Sequence, residues 1–173
     1  MNPKFLCLLV TAMVSAALIV GCQKEDSRGT TDLRIRMTDA PFDASEVNVD
    51  IRQVRVNFGD DSTGGWIDLD THAGIYNLLD LTNGIDTLIA HDTVQAGTLR
   101  QIRFVLGDEN DITINGVNYP LTIPSGSESG LKINLNKRLN AGLDSLLIDF
   151  DAALSIIQTG NGEYKLKPVL KIK

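Results

Sequence analysis

The sequence predicts an all-β domain, an antiparallel β-sandwich, and three observations predict it. Beyond residue 31, apolar residues recur at every second position in run after run. The dipeptide Asn115-Gly116 stands between two such runs, which is the strongest short-range signal for a two-residue hairpin. No segment there carries a helix-length repeat of 3.6.

The chain begins differently. Residues 1–4 carry a positive charge at Lys4, residues 5–20 carry no charge, and Gly21-Cys22 closes the run. That order of charged, apolar and small residues is the order of a secretory signal peptide. The apolar run is shorter than the roughly 20 residues that a bilayer-spanning helix needs. Ile19-Val20-Gly21-Cys22 resembles the bacterial lipobox. That resemblance implies acylation of the Cys22 thiol, cleavage before Cys22 and acylation of the new amine. One acyl chain binds a membrane only marginally, at about 0.8 kcal/mol per buried methylene, whereas two or three anchor it for good. Gln23-Lys24-Glu25-Asp26 resembles the surface-export signal of one Gram-negative phylum, a Lys followed by acids; a plain solvated tether is the alternative. The expected organisation is a signal peptide over 1–21, lipidated Cys22 and tether over 22–31, and one sandwich domain over 32–173. Nine tether residues reach at most about 30 Å, so the domain is expected to sit close to its membrane.

Composition narrows the function classes. Asp and Glu number 22 against 16 Lys and Arg, a formal charge of −6. Loss of residues 1–21 would remove one more cation and no acid. A nucleic-acid partner is therefore not expected, because phosphate demands a basic face. Cys7 would leave with the signal and Cys22 would carry lipid, so the domain has no thiol for a disulfide or a Cys metal site.

The strands follow in order. Leu33, Ile35 and Met37 alternate with polar residues, and so do Val47, Val49 and Ile51. The pattern restarts out of phase at Val54, Val56 and Phe58. A one-residue slip would turn every later side chain to the other face, so a β-bulge is expected near Arg52-Gln53. Residues 60–65 are a loop, and residues 66–70 a short strand with Ile67 and Leu69 on one face. Residues 75–81 break the alternation at Leu78-Leu79, which fits a helical turn or an irregular buried segment. Leu88-Ile89 is a brief strand and 99–106 a strong one; 112–114 and 117–123 form the hairpin across Asn115-Gly116. After the loop 125–130 come strands at 131–135 and 146–150. A last strand spans 164–173, where Pro168 cannot donate to a ladder and four lysines alternate, as suits an edge or a bulge. The whole reads as an immunoglobulin-like or prealbumin-like sandwich.

Thr38-Asp39-Ala40-Pro41, Ser129-Gly130-Leu131-Lys132, Asp149-Phe150-Asp151-Ala152 and Leu166-Lys167-Pro168-Val169 occur in that order. Together they resemble a family of bacterial lipoprotein domains of unknown function, domain of unknown function 4382, over residues 32–169. The resemblance implies a fold and no reaction.

Asp149 and Asp151 flank Phe150, so a buried Phe150 would set both carboxylates on one face, with Cα atoms about 6.5–7 Å apart. Three roles are open. The carboxylates can bond loop backbone while Asp39 shapes a turn; this bland role is the leading expectation. With Asp39 they can form a Ca²⁺ site, the one candidate cofactor. They can also form the acid pair of a carboxylate-dependent hydrolase. Other constellations fall short. The loops at Asp108-Glu109-Asn110-Asp111 and Asp60-Asp61 lack the EF-hand arrangement, with Thr113 at the sixth position of one and Thr71 at the twelfth of the other. Glu128 stands where a nucleophile elbow needs Ser. His72 and His91 have no spacing that points to zinc or a triad. Trp66 alternates with Asp68 and Asp70, a pattern that sugar-binding surfaces use and that a rim Trp shares. The expectation is a lipid-anchored outer-membrane module without catalysis, facing outward. Its partners are the membrane and a glycan or surface protein. The alternative is a calcium-stabilised carbohydrate-binding or adhesion module.

Overall fold

The computed structural model describes residues 29–59, 65–124 and 130–173. Cys22 and the lipobox, residues 60–64 and residues 125–129 lie outside them. The described residues form strands β1 (Thr30–Thr38), β2 (Glu46–Asn57), β3 (Trp66–Asp68), β4 (Asp70–Thr71) and β5 (Gly74–Asn77). A 3₁₀ turn (Leu78–Leu81) leads to β6 (Thr87–Gln95), β7 (Gly97–Leu106), β8 (Asp111–Ile114) and β9 (Val117–Thr122). Then follow β10 (Leu131–Leu139), β11 (Gly142–Phe150), a one-turn helix α1 (Ala152–Ser155), β12 (Ile156–Gln158), β13 (Tyr164–Leu166) and β14 (Leu170–Ile172).

The strands make two sheets, so the fold is the expected all-β sandwich. One has the order β14-β11-β1-β6-β4; the other runs β10-β7-β2-β8-β9-β13-β12, with β3 and β5 also paired to β2. One cluster of buried side chains lies between them, from Leu33, Ile35, Met37, Ile148 and Phe150 on one sheet to Val47, Val56, Ile102, Phe104 and Ile112 on the other. Two-residue alternation supplies these inward faces, since successive side chains point to opposite sides of a strand.

The sheets are mixed rather than purely antiparallel: β1 pairs β11 in parallel, and β13 pairs β9 in parallel. Alternation reports which face is buried and is blind to strand direction. The bulge stands where the phase slip puts it, with the β2–β7 register shifting between Ile51 and Gln53. Arg52 is the extra residue, exposed while Ile51 and Val54 stay buried. Asn115 (φ +50°) and Gly116 (φ +76°) make the tight turn between β8 and β9.

Two expected strands are each divided between the sheets. At residues 66–71, β3 pairs β2 whereas β4 pairs β6, with buried Leu69 at the crossing. Ile67 is exposed and does not share Leu69's environment. At the C-terminus, β13 lies inside the larger sheet and β14 forms the edge of the smaller one. Pro168 falls between them, where no ladder bond is missed.

Asp50, fully buried on the outer side of β2, is held by a loop folded over it. Asn110 Oδ1 accepts from the Asp50 N–H at 2.9 Å, Gly107 N–H donates to the Asp50 carbonyl at 2.9 Å, and Arg52 donates to Asp50 Oδ2 at 2.6 Å from Nη2. The loop at 108–111 is thus a clamp on β2. A Cβ at Gly107 would stand 1.9 Å from Asp50 Oδ2. Gly107→Ala is expected to destabilise the domain by about 1–3 kcal/mol through that overlap. Phe104→Ala, at a fully buried site, should cost about 3–5 kcal/mol. Urea denaturation reads both; an unchanged midpoint for Gly107→Ala would refute the clamp.

Candidate functional site

The candidate carboxylates meet where the parallel strands β1 and β11 end. Thr38 pairs with Asp149, so Asp39 emerges beside the Asp149-Phe150-Asp151 stretch. The Thr38 hydroxyl lies 2.8 Å from the carbonyls of Leu81 and Ile85, and the Asp39 N–H donates to Leu81 at 2.9 Å. These bonds fix the end of β1 to the segment after the 3₁₀ turn. Asp39 Oδ1 then accepts from the Ala152 N–H at 3.0 Å, which joins β1 to the start of α1.

Asp151 is the N-cap of α1. Its Oδ1 accepts from the Leu154 N–H at 3.1 Å, as helix N-caps do. Its Oδ2 accepts from Lys171 Nζ at 2.8 Å. Asp149 Oδ2 stands 3.1 Å from Lys173 Nζ. Thus two lysines of the terminal stripe reach the two carboxylates that flank buried Phe150. Ser155 closes the arrangement: Val169 N–H donates to its Oγ at 2.8 Å and Lys167 N–H to its carbonyl at 2.7 Å.

Asp39 is nearly inaccessible, and its pKa is pushed up from 3.8 to about 6. Burial is the main cause, the N–H groups of Ala152 and Ala40 oppose it, and the charges of Asp149 and Asp151 add to it. Asp151 is held below the usual carboxylate range, first by the Lys171 hydrogen bond, with burial opposing and the Leu154 N–H assisting. Asp39 Oδ2 and Asp149 Oδ1 are buried and without a hydrogen-bond partner among the described residues. A buried carboxylate oxygen of this kind can take a proton or a hard cation. Among the described residues, no group of three or more His, Cys, Asp or Glu side chains is arranged to hold a metal ion.

The motifs converge here. Asp39 bonds Ala152, Asp151 N–H bonds the Val169 carbonyl at 3.0 Å, and Lys167 N–H bonds Ser155. The remaining motif arrives through Leu131, which shares with Ile123, Pro124, Leu166, Lys167 and Pro168 an apolar crevice of about 300 Å³. Residues 30–168 match the family described as Domain of unknown function (DUF4382). The chain belongs to that family. No curated protein and no solved structure matches it. In this DUF4382 chain the motif residues thus bind one another and the strand ends together.

Trp66 lies apart, paired across β2 from Asn57 at the end of the sandwich where β1 begins. The Arg103 guanidinium stands 4.1 Å over its ring, a cation–π contact that occupies one face of the indole. The sequence reading missed the roles of Lys171 and Lys173, although their alternation on the last strand was a usable signal. It also missed the Tyr119–Tyr164 pair, with ring centres 5.0 Å apart, which pairing of β9 with β13 brings together.

Asp39 gives a pH prediction. Its folded pKa lies above its unfolded one, so its stabilising contribution is complete below about pH 3.8 and is lost as pH rises through about 6. Asp39→Asn keeps an acceptor for Ala152 and removes the buried charge. It should flatten the pH–stability curve between pH 4 and 7 and gain up to about 3 kcal/mol at pH 8. Urea melts of both proteins across that range decide it; parallel curves would refute the assignment.

Proposed function

We propose that this chain is a lipid-anchored outer-membrane lipoprotein, held by acyl chains on Cys22, whose sandwich faces outward as a binding or structural module without catalysis. The observation that carries the non-catalytic reading is the use made of the motif carboxylates. Asp39 holds Ala152, Asp151 caps α1 and pairs Lys171, and Asp149 pairs Lys173. A hydrolase would need two of these carboxylates free to meet a substrate.

Geometry adds an orientation. β1 starts at Thr30, eight positions after Cys22, and runs the length of the smaller sheet. Nine strand residues span about 30 Å. An anchor at Cys22 therefore sets the Gly29 end toward the membrane and the Asp39 end, with its apolar crevice, away from it.

A second reading, a calcium-stabilised carbohydrate-binding or adhesion module, is favoured by the unpartnered oxygens of Asp39 and Asp149. Each is a carboxylate oxygen, the ligand type that calcium takes. Trp66 and its Arg103-covered ring are the weaker part of that reading.

Two experiments separate these outcomes. Cys22→Ala should move the protein from the membrane to the soluble fraction, and protease added to intact cells should cleave the wild type; retention of Cys22→Ala in the membrane would remove the anchor. Millimolar Ca²⁺ should leave the melting temperature of the purified lipoprotein unchanged on the first reading and raise it on the second. A glycan array then tests for a sugar ligand.

A further inference from the structure

The chain has two histidines, and the structure places them in contact. The ring centres of His72 and His91 are 5.6 Å apart, with the rings at 82°. The cause is strand pairing. β4 is the edge strand of the smaller sheet, and it pairs Asp70 with His91 and Thr71 with Ala90. The pairing runs on beyond β4, since the His72 N–H donates to the Ile89 carbonyl at 2.9 Å. Asp70 and His72 are two residues apart and so share a face; His91 opposes Asp70 on that same face. Thr71 and Ala90, between them, point the other way: the Thr71 hydroxyl accepts from the Val54 N–H of the opposite sheet. His72 is exposed and His91 half-exposed.

We propose that His72 and His91 form a two-imidazole site for a borderline divalent transition-metal ion, Zn²⁺, Cu²⁺ or Ni²⁺, with Asp70 as the residue that positions His91.

The dimensions fit. An ion held by one nitrogen of each ring at about 2.0–2.1 Å keeps the ring centres about 5 Å apart. The 5.6 Å separation is close to that, and rotation of the exposed His72 ring, at the sheet edge, brings its nitrogen to bear. The His72 backbone is fixed on both sides, by its bond to Ile89 and by the Tyr76 hydroxyl, which donates to the His72 carbonyl at 2.5 Å. Asp70 Oδ2 lies 3.6 Å from His91 Nε2. A carboxylate beside one imidazole nitrogen is the usual partner of a metal-ligating histidine, and it leaves Nδ1 as the ligand atom. Arg34, the cross-strand neighbour of His91 on β1, is itself tied to Asp32 at 3.0 Å, which tempers its repulsion of a cation.

The ligand class follows from the donors. Imidazole nitrogens select zinc, copper and nickel, whereas calcium takes oxygen. The site is thus chemically distinct from the Asp39 cluster, and it does not depend on the reading of that cluster or on the anchor. Two protein ligands leave the remaining positions to water, so the site can exchange ligands or bridge to a donor on a partner.

Full-length protein in detergent is titrated with Zn²⁺, Ni²⁺ and Ca²⁺ at neutral pH, read by melting temperature and by the histidine ring resonances in NMR. With only two histidines, loss of one signal in a single variant assigns both. Zn²⁺ or Ni²⁺ at about a hundred times its dissociation constant should raise the melting temperature by about 5–10 °C, and Ca²⁺ should not act through these rings. Both ring signals should change together at one equivalent. His72→Gln and His91→Gln should each weaken binding at least about tenfold, and Asp70→Asn should weaken it while leaving both rings engaged. Absence of a response at millimolar metal, a change confined to one ring, or unchanged affinity in the His72→Gln/His91→Gln double variant would overturn the proposal. Should a variant fail to fold, the wild-type ring signals decide alone.

Discussion

The parallel pairing of β1 with β11 is the constraint on which the rest of this structure depends. β1 is central in its sheet, between β6 and β11, so it cannot be completed on one side until the chain has built most of the opposite sheet and returned. Thr31 Oγ1 donates to the Asn140 carbonyl across 109 residues of sequence, and Asp39 accepts from Ala152 across 113. A parallel pair requires a crossover connection, and here the crossover is nearly the whole domain. Closing it carries a loop-entropy cost that precedes the contacts that reward it. The bonds at the two ends of β1 are therefore closure bonds, and the motif residues supply those at its C-terminal end.

Closure explains why charged groups are buried there at all. A buried carboxylate is costly unless it is paired or keeps its proton. Pairing is the solution at Asp50 and Asp151, and Asp39 shows the cost as a raised pKa. Asp50 is paired, with Arg52 and the Glu109 N–H converging on its Oδ2. Asp151 is paired through Lys171 and the N-cap bond. Asp39 instead has its pKa pushed up to about 6, first because burial disfavours its charge, with the charges of Asp149 and Asp151 adding to that. Its remaining work, one bond to Ala152, needs an acceptor and no charge.

Much of the architecture was legible in the residues because it is written in period and turn chemistry. The phase slip at Arg52-Gln53 locates the bulge, and Asn115-Gly116 locates the hairpin, since each is a local steric requirement. Leu78 and Leu81 read as an irregular buried segment, and they lie in a 3₁₀ turn. What period cannot report is which strand lies beside which. The parallel pairs, the divided strands at 66–71 and 164–172, and the convergence of four separated motifs all belong to that second kind. Asp39, Asp149 and Asp151 were legible as a group because two flank Phe150 at the end of one strand and the third follows the end of another. His72 and His91 were not, because only the β4–β6 register brings them together.

The two divided segments show how a chain with few long strands fastens two sheets to each other. A strand that continues across a link of one to three residues into the opposite sheet carries covalent linkage across the core. At Leu69 the crossing is reinforced from the other sheet, where Gln53 Nε2 donates to the Leu69 carbonyl at 2.7 Å and the Thr71 hydroxyl accepts from Val54. At Pro168 it is reinforced by Ser155, which takes the backbone of Lys167 and Val169 from either side. The first crossing delivers Asp70 and His72 to the outer face opposite His91; the second delivers Lys171 and Lys173 to Asp151 and Asp149. These two polar clusters thus lie immediately beyond the crossings. The physical reason is that a segment leaving one sheet has its backbone donors newly aimed, and its first side chains past the core must fall on a surface that another strand has already built.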